Sequence, residues 1–314
     1  MLAKAVWWLQ DPLSQKTYHP GLWWAAILPS LSRSVSSMND ISAVILTLNE
    51  ERNIVDCIRT LREWCADVVV FDSFSTDKTV ELAKAEEARV FQRKFDNYAN
   101  QRNAALRDVE YPGEWVLMVD ADERWGKALG KRIMEAIHDP LFADASIFHF
   151  QRKDIFFGRW LKHGIGAGTW TGRLLRRADV SVERDINEEY HCTGKKVYLN
   201  GERFLHYPFN NGISWWFWRH NRYSDMESKR LLAERSESIA WKTLWGHDPI
   251  LRRKTLKQIL YRVPFRPLWM FFALYILKLG FLDGTAGFHY CVMRSIYEYM
   301  INLKMKEIRF EERA

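Results

Sequence analysis

The chain has 314 residues, 47% of them hydrophobic and 27% charged, ordinary values for a folded protein with a substantial core. Its formal charge of +7 is uneven: residues 1–200 hold 27 Lys/Arg against 28 Asp/Glu and residues 201–314 hold 19 against 11, so an anionic surface is the expected partner of the last third. Cys57, Cys65, Cys192 and Cys291 show no C-x-x-C spacing, which argues against a zinc site or disulfide framework and suits a reducing cytoplasm, and no apolar run reaches the roughly 18 residues of a spanning helix.

Residues 1–40 carry two aromatic-apolar patches, Val6–Leu9 and Leu22–Leu28, and close in the Ser-rich stretch Ser30–Ser37, which reads as a linker. Trp7, Trp8, Trp23 and Trp24 suit either a bilayer interface or packing against the main domain. The opening apolar stretch is broken by Gln10-Asp11-Pro12 and lacks the small-residue cleavage site of a signal peptide.

From Ile41 the pattern alternates strand and helix. Ile41–Leu48 reads as a buried strand. Asn49 is the expected N-cap of a helix whose apolar face is Ile54, Cys57, Ile58 and Leu61, at i, i+3, i+4 and i+7. Asp67–Phe71 is a second strand ending at Asp72, followed by a loop and a helix from about Thr79 to Glu87, with Asp77 as its cap. Arg89–Phe91 is a short third strand, and Asn97–Arg107 is a helix. Trp115–Val119 is a continuous apolar run, the mark of a strand buried on both faces. The alternation predicts an α/β fold with a Rossmann-like, doubly wound and mostly parallel sheet. Asp72 and Asp120 should then lie on one edge of it, where such sheets bind ligands.

Residues 126–138 read as a further helix and Ser146–Phe157 as β-like. Five glycines and two tryptophans between Gly158 and Gly172 mark a mobile loop or a close-approach surface. Arg173–Arg177 and Val197–Leu199 read as strands, and Trp215–Arg235 as a helix. Residues 242–278 carry eight Lys/Arg against the single acid Asp248, and enclose the uncharged run Leu268–Leu277. Basic residues beside an aromatic segment too short to span read as an interfacial anchor on anionic lipid, with a buried oligomer or domain helix as the alternative. Nucleic acid fits less well, because the basic residues adjoin an apolar run and no nucleic-acid motif is present.

The chemistry gathers at Asp120-Ala-Asp-Glu123. Residues i and i+2 of an extended segment point the same way, so Asp120 and Asp122 should face one point. Two carboxylates there repel unless a cation or hydrogen-bond donors intervene. A hard divalent cation carrying phosphates suits such oxygen ligands, although Asp also caps helices and starts turns.

Four motifs occur in order: Thr47-Leu-Asn-Glu50, Asp72-Ser-Phe-Ser-Thr-Asp-Lys-Thr79, Gln101-Arg-Asn103 and Asp120-Ala-Asp-Glu123. In this order and spacing they resemble the family 2 glycosyltransferases of the GT-A fold, most closely the bacterial envelope group acting on lipopolysaccharide core, capsule or exopolysaccharide intermediates. The resemblance covers residues 41–125 strongly and 170–225 more loosely. It implies a nucleotide-binding half at 41–125, an acceptor half completing the domain at 126–235, and a helical membrane-associating region at 236–314.

The resemblance also implies roles. Asp72 would accept from the ring N–H of the base, and Thr47, Asn49 and Glu50 would hold base and ribose. Arg102 is the expected cation beside the carboxylates. Asp120 would meet ribose and metal, and Asp122 would bind the metal, Mg²⁺ or Mn²⁺, with His206 in Leu205-His-Tyr207 as a third ligand or an acceptor contact. An inverting transfer needs a base on the acceptor side. In relatives this is often the Glu of a His-Glu pair. The matching segment here is Ile186-Asn-Glu-Glu-Tyr190, with Asn187 in place of the histidine, so Glu188 is the expected base and Glu189 its reserve. Trp170 would stack on acceptor sugar and Arg173 would meet pyrophosphate. The implied partners are a nucleotide-sugar donor, a lipid-linked saccharide acceptor and the anionic cytoplasmic face of the inner membrane, with a homo-oligomer also compatible.

Two other readings compete. A nucleotidyltransferase would carry a Gly-rich basic loop after the first strand, where this chain has Thr47-Leu-Asn-Glu-Glu51. A non-catalytic membrane scaffold would not need the complete set of carboxylates.

Overall fold

The computed structural model describes residues 41–164, 169–183, 189–236 and 262–313, together with residues 241, 255 and 259. The predicted arm at 1–40, Glu188 and most of the basic stretch at 242–261 lie outside them. The described residues divide into two compact units, one formed by residues up to 153 with 170–210, the other by 154–169 with 211–314.

The first unit is built on a mixed sheet. Strands β1 (Ile41–Thr47), β2 (Asp67–Asp72), β3 (Arg89–Gln92) and β4 (Trp115–Asp120) lie parallel in the order β3-β2-β1-β4. Helices α1 (Ile54–Arg62), α2 (Thr79–Ala85) and α3 (Tyr98–Arg107) make the crossovers. After β5 (Glu123–Arg124) and α4 (Lys127–Ile137), the chain returns through β6 (Ala145–Phe156) and β8 (Trp170–Arg176); the end of β6 from Asp154 and its partner β7 (Arg159–Trp160) count with the second unit. There the sheet changes character, because β8 runs antiparallel to both β4 and β6. β9 (Val180–Glu183) and β10 (Glu189–Cys192) form a separate hairpin. β11 (Lys195–Tyr198) pairs parallel with β6, and β12 (Phe204–His206) antiparallel with β5. The parallel half is as the alternation predicts, while the short strands β5, β9, β10 and β12 carry too few residues for a period to be legible.

Both faces of the parallel half are covered. Ile41, Ala43 and Ile45 of β1 pack into a core shared with Ile54, Cys57, Ile58 and Leu61 of α1, the face read from the i, i+3, i+4, i+7 spacing. Val44 points the other way, into a second core with Val69, Phe71 and the α3 residues Ala105 and Leu106. Burial on both sides explains why the strands read as unbroken apolar runs. The register then fixes the functional edge: Thr47 lies beside Asp72, and Leu46 beside Asp120. Both acidic strand ends therefore share one edge, with β1 between them, about 10 Å apart across two strand spacings.

In the second unit, α5 (Ile213–Ser236) and α6 (Arg266–Phe272) both pack on the long helix α7 (Gly284–Glu311). Between α6 and α7 run a π-helical turn, Ala273–Leu277, and a 3-10 turn, Gly280–Asp283. Glu298 of α7 is fully buried and pairs with Arg266 of α6, and His220 of α5 stacks on Trp216 and meets Tyr297 of α7 edge-on.

Candidate active site

The base of the site is a hydrogen-bonded lattice between the loops after β1 and β2. Asp72 is fully buried and accepts from Thr47 Oγ1 at 2.8 Å, Ser75 N at 2.9 Å, Ser75 Oγ at 2.5 Å and Gln92 Nε2 at 3.1 Å. Its carboxylate thus anchors β1, β2 and β3 at one point. A base N–H would reach it only by displacing one of these donors.

Asn49 departs from its expected role. It takes a left-handed conformation at φ 57°, and its side chain accepts from Thr76 N at 2.8 Å, while its own N–H donates to Ser75 Oγ at 2.8 Å. It bridges two loops instead of capping α1, whose cap position falls at Asn53. Asn tolerates this backbone better than most residues because its short amide bonds locally. Glu50 N donates to Thr79 Oγ1 at 2.8 Å, and a Glu50 carboxylate oxygen accepts from Asn53 Nδ2 at 2.8 Å. Asp77 stands one place before the expected position, since the cap of α2 falls at Lys78; it accepts from Thr79 N at 3.0 Å and from Glu51 N at 3.1 Å.

On the next strand end, Asp120 meets two buried arginines. Arg102 Nη2, from α3, lies 3.1 Å from one oxygen, and Arg173 Nη2, from β8, pairs with the other and also with Glu123. Asp120 is half-exposed, whereas Arg102, Arg173 and Glu123 are buried. Antiparallel pairing of β8 with β4 brings Arg173 to this edge. Glu123 completes the cluster, with Trp125 Nε1 donating to it at 3.1 Å. Burial raises the Glu123 carboxyl above its usual range, Arg173 opposes that rise, and Asp120, Asp122 and His206 are all near enough to act on it. Burial alone would lower Arg173, but Asp120 and Glu123 more than offset it and hold the guanidinium charged. Beneath the cluster, burial pushes the Cys57 thiol well up, so it stays neutral.

Asp122 takes a different partner from Asp120. β4 ends at Asp120 and the chain turns before β5, so the i, i+2 argument for a shared direction does not hold across Ala121. Asp122 Oδ2 lies 3.4 Å from His206 Nε2, because β12 pairs with β5 and sets His206 opposite Glu123. Tyr207 N donates to the Asp122 carbonyl at 2.8 Å and fixes the turn. The predicted Asp120–Asp122–His206 triad is therefore split: guanidinium groups serve the first carboxylate, and among the described residues no group of three acidic, His or Cys side chains is gathered for a metal. The carboxylate oxygen and imidazole nitrogen of Asp122 and His206 do form a two-residue seat whose donor chemistry fits a divalent cation, with ligand oxygens completing the shell.

Trp170 is buried to within 7% and meets Tyr198 edge-on at 5.3 Å, so it is a wall of the fold and not an open stacking surface. Arg173 lies in the carboxylate cluster, not on a separate acceptor surface. Glu123 and Gln92 have roles that sequence reasoning missed. The run of three acids in Asp120-Ala-Asp-Glu123 was the available signal for Glu123, whereas nothing in the sequence around Gln92 pointed to Asp72. A groove of about 460 Å³, lined by Leu106, Arg107, Arg177 and Asp179 among others, sits where β4 begins and holds none of these residues.

The family model described as Glycosyl transferase family 2 matches residues 42–200 of the chain. An uncharacterized glycosyltransferase of Rickettsia bellii (strain RML369-C) is 24% identical over 291 residues, 86% of this chain and 87% of that protein. The lipopolysaccharide core biosynthesis glycosyltransferase LpsC of Rhizobium meliloti (strain 1021) is 37% identical over 102 residues, 31% of this chain and 37% of LpsC. Among solved structures, glucosyl-3-phosphoglycerate synthase from Mycobacterium tuberculosis, in complex with Mn²⁺, UDP and glucosyl-3-phosphoglycerate, aligns at 19% identity with a TM-score of 0.31. That alignment covers 41% of this chain and 51% of the synthase.

Proposed function

The chain belongs to glycosyl transferase family 2, and from that premise we propose that it moves a sugar from a nucleotide-sugar donor to a lipid-linked saccharide, with inversion, in building a bacterial envelope polysaccharide. The observation that carries the reading is the cluster at the end of β4, where Asp120, Glu123, Arg102 and Arg173 meet beside the Asp122–His206 seat. The likeness to LpsC supports a lipopolysaccharide-type acceptor.

In this reading the loops knit around Asp72 hold the nucleoside, with Thr47, Asn49 and Glu50 forming its rim. Asp120 orients the ribose and the diphosphate end while Arg102 and Arg173 fix its carboxylate. Asp122 and His206 would hold a divalent cation, Mg²⁺ or Mn²⁺, which supplies positive charge to the departing nucleoside diphosphate. Arg102 and Arg173 keep further positive charge next to that group in a dry setting, where it acts more strongly than in water. Glu188 takes the proton from the acceptor hydroxyl as its oxygen attacks the anomeric carbon. The nucleotide–sugar bond breaks as the new glycosidic bond forms, and the configuration inverts. The acceptor being lipid-linked, the enzyme works peripherally at the cytoplasmic face of the membrane.

The test is incubation with a panel of nucleotide sugars, divalent cation and a bacterial lipid extract. Release of nucleoside diphosphate together with an extended lipid saccharide is expected. Release of pyrophosphate would indicate nucleotidyl transfer, and no turnover with any donor would favour a scaffold.

A further inference from the structure

We infer that the second unit docks on a lipid bilayer through one surface, made by the bent segment from Phe265 to Phe288 together with the β6–β7 turn at Phe157, and that it dips into one leaflet without crossing. This deepens the membrane part of the functional reading and rests on it.

The surface is a set of large apolar side chains left outside the core. Phe265, Leu268, Trp269 and Leu277 are 58–73% exposed, and Phe157 is 69% exposed. Phe272, Leu279, Phe281, Leu282 and Phe288 are each exposed by 42% or more. Their rings interlock: Phe271 and Tyr275 meet Phe288 at 6.0 and 5.7 Å, Tyr275 meets Phe281 at 6.2 Å, and Phe157 meets His289 at 6.4 Å. Two segments distant in sequence thus contribute to one continuous patch, and patches of this extent mark interaction sites.

Backbone strain points the same way. Phe157, Phe265 and Leu279 occupy the left-handed region at φ 48°, 56° and 57°. Glycine or asparagine would fold there at less cost. Holding large apolar side chains outward at strained turns does not serve the core, so their use lies outside it.

Charge selects the partner. No acidic residue occurs between Asp248 and Asp283; among the described cations of that interval Arg262 and Lys278 are partly exposed, while Arg266 is buried against Glu298 and does not face outward. Asp283 is buried, accepting from the backbone N–H groups of Lys162 and His163 at 3.1 and 2.9 Å, so it ties the segment after β7 to the bend without presenting charge. Arg159 on β7 and Lys162 just beyond it add exposed cations. An apolar patch with cationic neighbours and no exposed acid between them fits anionic headgroups over acyl chains.

Length and charge favour dipping into one leaflet, although the bent pair of helices together meets the length and composition of a span. No single described helix is long and apolar enough to cross, and the bent pair Arg266–Leu277 and Gly280–Glu311 turns through 72°. The first arm is 12 residues, about 18 Å at helical rise, against a hydrocarbon core of about 30 Å. The second arm carries Lys304, Lys306, Glu307, Arg309 and Glu311, which do not enter hydrocarbon cheaply.

The test is flotation of the full chain with phosphatidylcholine vesicles, with and without phosphatidylglycerol. The wild type should float with the anionic vesicles and less without phosphatidylglycerol. Combined Phe157→Ser, Leu268→Ser, Trp269→Ser and Leu277→Ser should lower partitioning by about tenfold or more while circular dichroism stays unchanged. Should that variant unfold, Trp269→Phe serves instead: lipids brominated on the acyl chain should quench wild-type tryptophan fluorescence more than that of the variant. Flotation of the folded quadruple variant equal to wild type, equal quenching of both proteins, or a lipid-free dimer dissolved by the same substitutions would each overturn the proposal. Flotation needs no sugar nucleotide, so its failure is separable from failure of the transferase reading, which the donor panel tests alone.

Discussion

Replacing Arg173 by Met removes the guanidinium shared by Asp120 and Glu123 while keeping an unbranched side chain of similar reach. Deleting one partner of a buried ion pair costs about 3–5 kcal/mol, because the other charge is left in a dry site. Asp120 contributes little of this, since its side chain is 38% exposed and keeps Arg102 at 3.1 Å. Glu123, at 1% exposure, carries most of it. Its carboxyl is already raised by burial and opposed by Arg173, so without Arg173 it rises further and folds as the neutral acid. A folded pKa above the unfolded one means that the folded state holds a proton the unfolded chain releases. The contribution is present below the unfolded pKa and is lost as pH rises through the folded value. The penalty should therefore be about 3 kcal/mol near neutral pH and shrink, by about 1.4 kcal/mol for each pH step of one, as pH falls from the variant's folded value to the wild type's, below which both proteins fold with the acid neutral. Urea unfolding followed by far-ultraviolet circular dichroism at several pH values measures it. Adding Glu123→Gln should restore much of the loss. A penalty under about 1 kcal/mol at neutral pH, or one independent of pH, would refute the account of a buried, charge-compensated cluster.

Glu188→Gln should lower transfer by about 10²- to 10⁴-fold with donor binding intact, whereas Glu189→Gln should have a smaller effect; initial rates and calorimetry separate the two. His149, held down to about 4 by burial with Lys196 nearby, binds fewer protons folded than unfolded between its folded value and about 6.5. Its contribution is present above the unfolded value and lost as pH falls through the folded one, so His149→Phe should flatten the acid-side fall of the melting temperature. Gly130→Ala drives a Cβ into the Trp64 ring, which cannot retreat without losing the 2.9 Å bond from its Nε1 to the Trp125 carbonyl. A loss of about 1–3 kcal/mol is expected in thermal denaturation.

The parallel half of the sheet was legible because burial on both faces forces unbroken apolar runs, and the i, i+3, i+4, i+7 face of α1 is the face that packs. The shared edge of Asp72 and Asp120 followed from that alone. What could not be read was partner choice. Periodicity aims Asp120 and Asp122 together, but the strand stops between them, and only the antiparallel return of β8 puts Arg173 against Asp120. Asn49 has the chemistry of an N-cap, yet its left-handed backbone and its bond to Thr76 depend on a loop 27 residues away. Trp170 illustrates the same limit, since its type suits sugar stacking and its strand position buries it.

In the proposed function the edge after β4 grips a nucleoside diphosphate through a cation held by Asp122 and His206. Isothermal titration of UDP and GDP into the full chain, in Mn²⁺ and then in chelator, addresses it without needing an acceptor. The account predicts binding of one of them with Mn²⁺, its loss in chelator, and its loss in Asp122→Asn at unchanged melting temperature. Equal affinity in chelator, or in the folded Asp122→Asn protein, would contradict it.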